Sequence, residues 1–208
     1  MNYLAHAFLS SEDNYILTGN IVTDMIKGNL RKEVNPIFSK GIELHHAIDL
    51  YTDSHPIVKE IIGLIQPRFY KYSPVVNDIY MDYLLVKHWS EFSDIKVEEF
   101  IESVFLRLTQ VIELLPKPIF DRIYNMIHHK WLLTYRTIEG IEYVFERMKY
   151  RLTIKEIFYK AGEWLADNAS SYEGRFIEFM HEIVEFSRHW ELQRLSEINK
   201  EALTNDLN

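Results

Sequence analysis

The sequence predicts an all-α fold. Apolar residues recur at steps of three and four through most of the chain, only seven glycines and six prolines interrupt 208 residues, and no segment reads convincingly as a strand. Asp13 is placed to cap a helix running to Gly28, a residue suited to the left-handed position after a helix. Asn35-Pro36 supplies a cap and a first-turn proline for a helix that stops before Pro56. Ser73-Pro74 opens another, through about Glu91, by the same logic. Further helices are read near 95–114, 118–134, 137–150, 153–168 and 172–200, with Pro116, Pro118 and Thr137 at the joints. Phe176, Phe179, Met180, Ile183 and Phe186 fall at helical spacing in the last, a pattern of core packing. Residues 201–208 read as a frayed tail. No linker or internal repeat divides the chain, so 1–208 is expected to be a single-domain multi-helix bundle.

Composition narrows the chemistry. Apolar residues make up 47% and charged residues 26%, proportions of a soluble globular chain. Cysteine is absent, which excludes disulfides and thiolate zinc sites and leaves His, Asp and Glu to hold any metal. The absence of any apolar run of about 18 residues argues against a membrane span. The first residues lack a basic region and His6 interrupts their apolar stretch, which argues against a signal peptide and for the cytoplasm. A net charge of −8 argues against nucleic acid as a partner.

Several acids and histidines stand where apolar residues would be expected. His45, Asp49 and Asp53 lie at i, i+4 and i+8, along one stripe of a helix. Such a stripe is ordinarily a solvated face, and it gains weight only from company. The segment 74–91 is apolar nearly all round, yet it contains Asp78 and Asp82, flanked on their face by Leu85 and Trp89. Carboxylates in such surroundings are costly unless paired or metal-bound. Asp24, four residues after Asn20, lies among Ile21, Val22, Met25 and Ile26, and His6 interrupts YLAHAFL. His88 is rotated away from the Asp78/Asp82 face and suits a supporting position or a helix end. Serine-hydrolase elbows, Walker loops, dinucleotide fingerprints and zincin motifs are all absent. What remains is a carboxylate-rich, histidine-containing site suited to Mn²⁺ or Mg²⁺, with Fe²⁺ a further candidate. Such ions polarise phosphoryl oxygens and acidify water, which is the chemistry of phosphate-ester hydrolysis.

The segments NYLAH (2–6), GNIVTD (19–24), GIELHHAID (41–49), YTDSHP (51–56) and DIYMDYLLVKHW (78–89) resemble, in order and spacing, the signature blocks of the acyl carrier protein phosphodiesterases. The similarity is strongest over 1–90, continues through WLLTYR (131–136) and a basic stretch ending at Arg151, and thins beyond. It implies a divergent HD-type helical phosphohydrolase fold, a divalent metal, commonly Mn²⁺, and hydrolysis of holo-acyl carrier protein to the apo form and 4′-phosphopantetheine. Asp24, His45, Asp49, Asp78 and Asp82 are then expected as metal ligands and their partners, with His6, Asp49 and Asp82 as catalytic candidates. The contiguous His-Asp doublet of ordinary HD enzymes is missing: His45-His46 is followed by Asp49.

The resemblance also implies an acidic carrier as partner, which an acidic enzyme must meet through a local basic surface. Candidates are Lys27, Arg31 and Lys32, Arg68 and Lys71, and Arg147, Lys149 and Arg151. The same acids would serve a nucleotide or another phosphodiester equally well. A helical protein that binds a carrier without catalysis is the alternative outside enzymes.

Overall fold

A computed structural model describes the backbone of residues 1–149 and 155–205, with side chains described through 148 and over 156–193. The expected helical residues 150, 153 and 154, and Arg151, lie outside the described residues. Ten α-helices joined by short 3₁₀ turns make up the described chain, and no strand occurs among the described residues. They are α1 (Tyr3–Phe8), α2 (Asn14–Val22), α3 (Ser39–Ser54), α4 (Pro56–Phe69), α5 (Ser73–Lys87), α6 (Val97–Val111), α7 (Lys117–His128), α8 (Ile138–Lys149), α9 (Ala161–Asp167) and α10 (Glu173–Asn205).

Asp13 caps α2 by accepting from the backbone N–H of Tyr15 and Ile16 at 2.7 and 3.0 Å. That helix ends at Val22, short of the expected Gly28, and continues as a 3₁₀ turn over Thr23–Met25 before Ile26 extends. The consequence is functional, because the break moves Asp24 off the regular helix. Gly28 does adopt the left-handed φ of 57°, but it opens a second 3₁₀ turn. Asn35 accepts from Ile37 N–H at 3.0 Å and Pro36 starts the turn that feeds α3.

The expected stop before Pro56 holds, since His55 is extended. Helix α4 is the element the sequence reading leaves out. Gly63 and Pro67 lie within it, yet Val58, Ile61, Ile65 and Phe69 form a buried stripe that outweighs their cost, and Pro67 falls near the helix end. Lys130, with φ of 49°, ends the expected 118–134 helix at His128, and Trp131–Arg136 is 3₁₀ instead. Helix α10 reaches Asn205, further than expected.

Helix α5 runs through the core, with Val76, Ile79, Tyr80, Met81, Leu84 and Leu85 all buried. Phe176, Phe179, Met180 and Ile183 of α10 are buried as expected, while Phe186 is half-buried and stacks on Tyr51 of α3. The buried side chains form one continuous cluster. Among the described residues, no helix is long and apolar enough to cross a membrane.

Two glycines set the distance between α2 and α3. A Cβ on Gly41 would lie 2.2 Å from Ile16 O and 2.8 Å from Asn20 N, and one on Gly19 would lie 2.4 Å from Phe38 O. Only hydrogen at both positions lets these backbones approach, and that approach brings Asn20 to His45.

Candidate functional site

Helix α1 is six residues long and owes its place to partners outside itself. Asn2 accepts from Tyr3 N–H at 3.0 Å, and Asp82 of α5 accepts from the N–H groups of Leu4 and Ala5 at 2.9 and 3.1 Å. Asn2 also donates to the Tyr135 hydroxyl at 2.9 Å, and Arg122 donates to the Tyr3 hydroxyl at 3.0 Å. One turn later this anchored helix presents His6.

Asn20 of α2 fixes both imidazoles of the site. Its amide nitrogen donates to His6 O and Ser10 Oγ, each at 2.9 Å, so its Oδ1 is the acceptor facing His6 Nδ1 at 2.8 Å. Its backbone carbonyl accepts from His45 Nδ1 at 2.8 Å. A carbonyl oxygen can only accept, so both rings carry their proton on Nδ1 and turn Nε2 toward Asp49. His6 Nε2 lies 3.2 Å from Asp49 Oδ1, and His45 Nε2 lies 3.0 Å from Asp49 Oδ2. One ligand atom from each of His6, His45 and Asp49 lies within 4.8 Å of the others.

In neutral rings those atoms are all acceptors, and acceptors facing one another require a proton or a cation between them. In the absence of an ion a proton on His45 fills that need. Burial pulls its pKa down, but hydrogen bonds to Asp24 and Asp49 override this and raise it to about 9. His6 goes the other way: burial, only partly opposed by Asp49, lowers it to about 4. Burial would raise the Asp49 carboxyl, but the hydrogen bond from protonated His45, with His6 beside it, holds it far below the ordinary range. Two imidazoles and one ionised carboxylate on rigid supports form a donor set that fits a divalent ion.

The remaining expected residues sit around this group. Asp24, mostly exposed, stands at the rim with Oδ1 3.5 Å from His45 Nε2. Asp78 accepts from the Met1 amino group at 3.1 Å, and that group lies 4.0 Å from Asp49 Oδ1. The two oxygens of Asp82 accept from the start of α1, so this carboxylate serves the helix that carries His6 and stands outside the three-residue group. Asp53 completes the α3 stripe as an exposed residue. His88 closes α5 through its backbone N–H, and its Nε2 lies 3.7 Å from Glu173. The part of Asn20 goes unrecognised in the sequence reading, where only its spacing from Asp24 is visible. His45 and Asp49, one helical turn apart, bring together an imidazole and a carboxylate without a contiguous His-Asp doublet.

A cleft of about 620 Å³ opens beside the group, lined on one side by Asp24, Ile26, Lys27 and Arg31 and on the other by Ile42 and His46. Arg68 is engaged elsewhere: it donates to Ile157 O and Tyr159 O at 3.0 and 2.8 Å, fastening α4 to the segment before α9. Lys71 lies over the Tyr72 ring.

The family model described as acyl carrier protein phosphodiesterase matches residues 1–183. The chain belongs to this family. An acyl carrier protein phosphodiesterase of Shigella boydii serotype 18 is 30% identical over 193 residues, which is 91% of this chain and 98% of the relative. One from Escherichia coli O139:H28 is 29% identical over the same shares, and one from Escherichia coli O157:H7 is 30% identical over 86% of this chain and 93% of its own. No solved structure gives a significant match. His6, Asn20, Asp24, His45, Asp49, Asp78 and Asp82 all fall within the matched span.

Proposed function

We propose that this chain hydrolyses the phosphodiester joining 4′-phosphopantetheine to the serine of holo-acyl carrier protein, with a divalent ion held by His6, His45 and Asp49. The observation that carries the reading is the convergence of two Nε2 atoms and a carboxylate, oriented by Asn20, in a member of the acyl carrier protein phosphodiesterase family. When bound, the ion supplies polarisation of the phosphoryl oxygen and acidification of water. Mn²⁺ is the first choice and Fe²⁺ also suits two imidazoles with a carboxylate; the imidazoles weigh against Mg²⁺, which prefers oxygen.

The protein's own groups do the positioning. His6 and His45 keep their Nε2 lone pairs inward because Asn20 holds both Nδ1–H groups. Asp49 brings the negative charge. Asp24, at the open rim, orients water or adds an oxygen ligand through Oδ1. Asp82 positions His6 by capping α1, and Asp78 supports the start of the chain. The acidic carrier docks on exposed basic side chains, with Lys32 at the end of the Gly28–Lys32 turn and Lys71 as candidates, while the Arg68 guanidinium is taken up by Ile157 O and Tyr159 O.

Two measurements test the reading together: the metal content of protein purified without chelator, and the mass of holo-carrier after incubation. A loss of the phosphopantetheine mass that stops on chelation is the expected result. Cleavage of a nucleotide with no apo-carrier formed in Mn²⁺, Fe²⁺ or Mg²⁺ would overturn the substrate, and a rate indifferent to chelation would overturn the ion.

A further inference from the structure

We propose that the cleft between the 3₁₀ turns at 23–32 and the start of α3 receives the phosphopantetheine arm, so that Lys27 and Arg31 recognise the arm and not the carrier surface. This rests on the function proposed above and assigns its specificity.

The cleft adjoins the site: Asp24 lines it and stands 3.5 Å from His45 Nε2, and His46, next to His45 in the chain, lines it as well. The lining matches the arm by chemistry. Half-buried Ile26, Val34 and Ile42 offer hydrocarbon to the arm's gem-dimethyl segment, Lys27 and Arg31 offer cations to its phosphate, and Asn35 offers an amide to its two amides. Its volume of about 620 Å³ is that of a small-molecule site and far below what a folded carrier would need. The 3₁₀ break after Val22 builds the cleft, since a helix continued to Gly28 would not make the turn that brings Lys27 and Arg31 round to face α3.

The test compares two ligands on the metal-loaded full chain: free 4′-phosphopantetheine, which is all arm, and apo-carrier, which has none. Ser39→Trp narrows the cleft from an exposed position, and the double variant Lys27→Gln/Arg31→Gln removes its cations without adding bulk. Each should raise the Kd for 4′-phosphopantetheine by about tenfold or more, with less than about a threefold change for apo-carrier. Circular dichroism and metal content confirm that each variant is folded and loaded. An unchanged Kd for 4′-phosphopantetheine in both variants overturns the proposal, as does a loss confined to apo-carrier, which would make these residues a docking surface. Failure of the underlying reading shows separately, as wild-type protein that yields no apo-carrier from holo-carrier.

Discussion

The imidazole rings of His6 and His45 stack with centroids 4.1 Å apart and planes 15° from parallel. The stack carries two Nε2 atoms to one carboxylate and keeps both rings from being charged together, since a proton on His45 disfavours one on His6. Asn20 sets the tautomer of both. Asn20→Ala removes the Oδ1 acceptor of His6 and keeps the backbone carbonyl that holds His45, so it should weaken binding of the divalent ion by about tenfold or more while every ligand remains in place. Competition against a chelating dye measures it, and an unchanged affinity would mean that the His6 ring is held by packing alone.

Ion binding should be coupled to proton release. His45 titrates at about 9 and His6 at about 4 in the ion-free protein, so at pH 7 one ring carries a proton that an incoming ion must expel. About one proton should appear per ion, and affinity should rise about tenfold per pH unit between 5 and 8. Calorimetry in buffers of different ionisation enthalpy counts the proton. A count of zero would place the ion away from His45.

Asp24 and Asp82 should behave oppositely when cut back. Asp24→Ala leaves stability within about 0.5 kcal/mol, because the side chain is mostly exposed, and removes most turnover. Asp82→Ala leaves the N–H groups of Leu4 and Ala5 buried without a partner and should cost about 1–3 kcal/mol in urea unfolding. Near-wild-type turnover in Asp24→Ala would remove it from the reaction.

Asp82 also gives the ion-free protein a pH signature. Burial, only partly offset by the two N–H bonds, raises its pKa from 3.8 to about 7. A raised folded pKa stabilises fully below the unfolded value, and that contribution drains away as pH climbs from about 4 to 7. Asp82→Asn should lack this decline. Parallel stability curves for the two proteins from pH 4 to 8 would show that Asp82 does not titrate in that window.

Gly41→Ala should cost about 1–3 kcal/mol and much of the turnover, because its Cβ meets backbone atoms of Ile16 and Asn20 that cannot step aside. Gly63→Ala in α4 has nothing within 4 Å and should stabilise by about 0.4–1 kcal/mol. Thermal melts of the pair provide the check; equal effects would mean that the α2–α3 approach is not limiting.

The sequence by itself determined the helical class, the apolar core stripe of α10, the cap at Asp13 and the stop before Pro56, because periodicity, caps and prolines act over a few residues. It also marked His6, Asp24, Asp78 and Asp82, since charge among apolar neighbours is visible without coordinates, and His45 and Asp49 by their spacing along one helical stripe. Only the tertiary structure separated them. His6, His45 and Asp49 converge, Asp24 stands at their rim, Asp82 caps α1, and Asp78 meets the Met1 amino group. His6, Asp24, Asp78 and Asp82 read alike in sequence because each is an ionisable group among apolar ones, His45 and Asp49 read as a polar stripe along one helix, and what each holds depends on atoms contributed by other elements. Asn20 shows the same limit: its orienting contacts reach His6 and His45 across 14 and 25 residues of chain. They exist because Gly19 and Gly41 let two helices touch, a long-range packing event that no local pattern records.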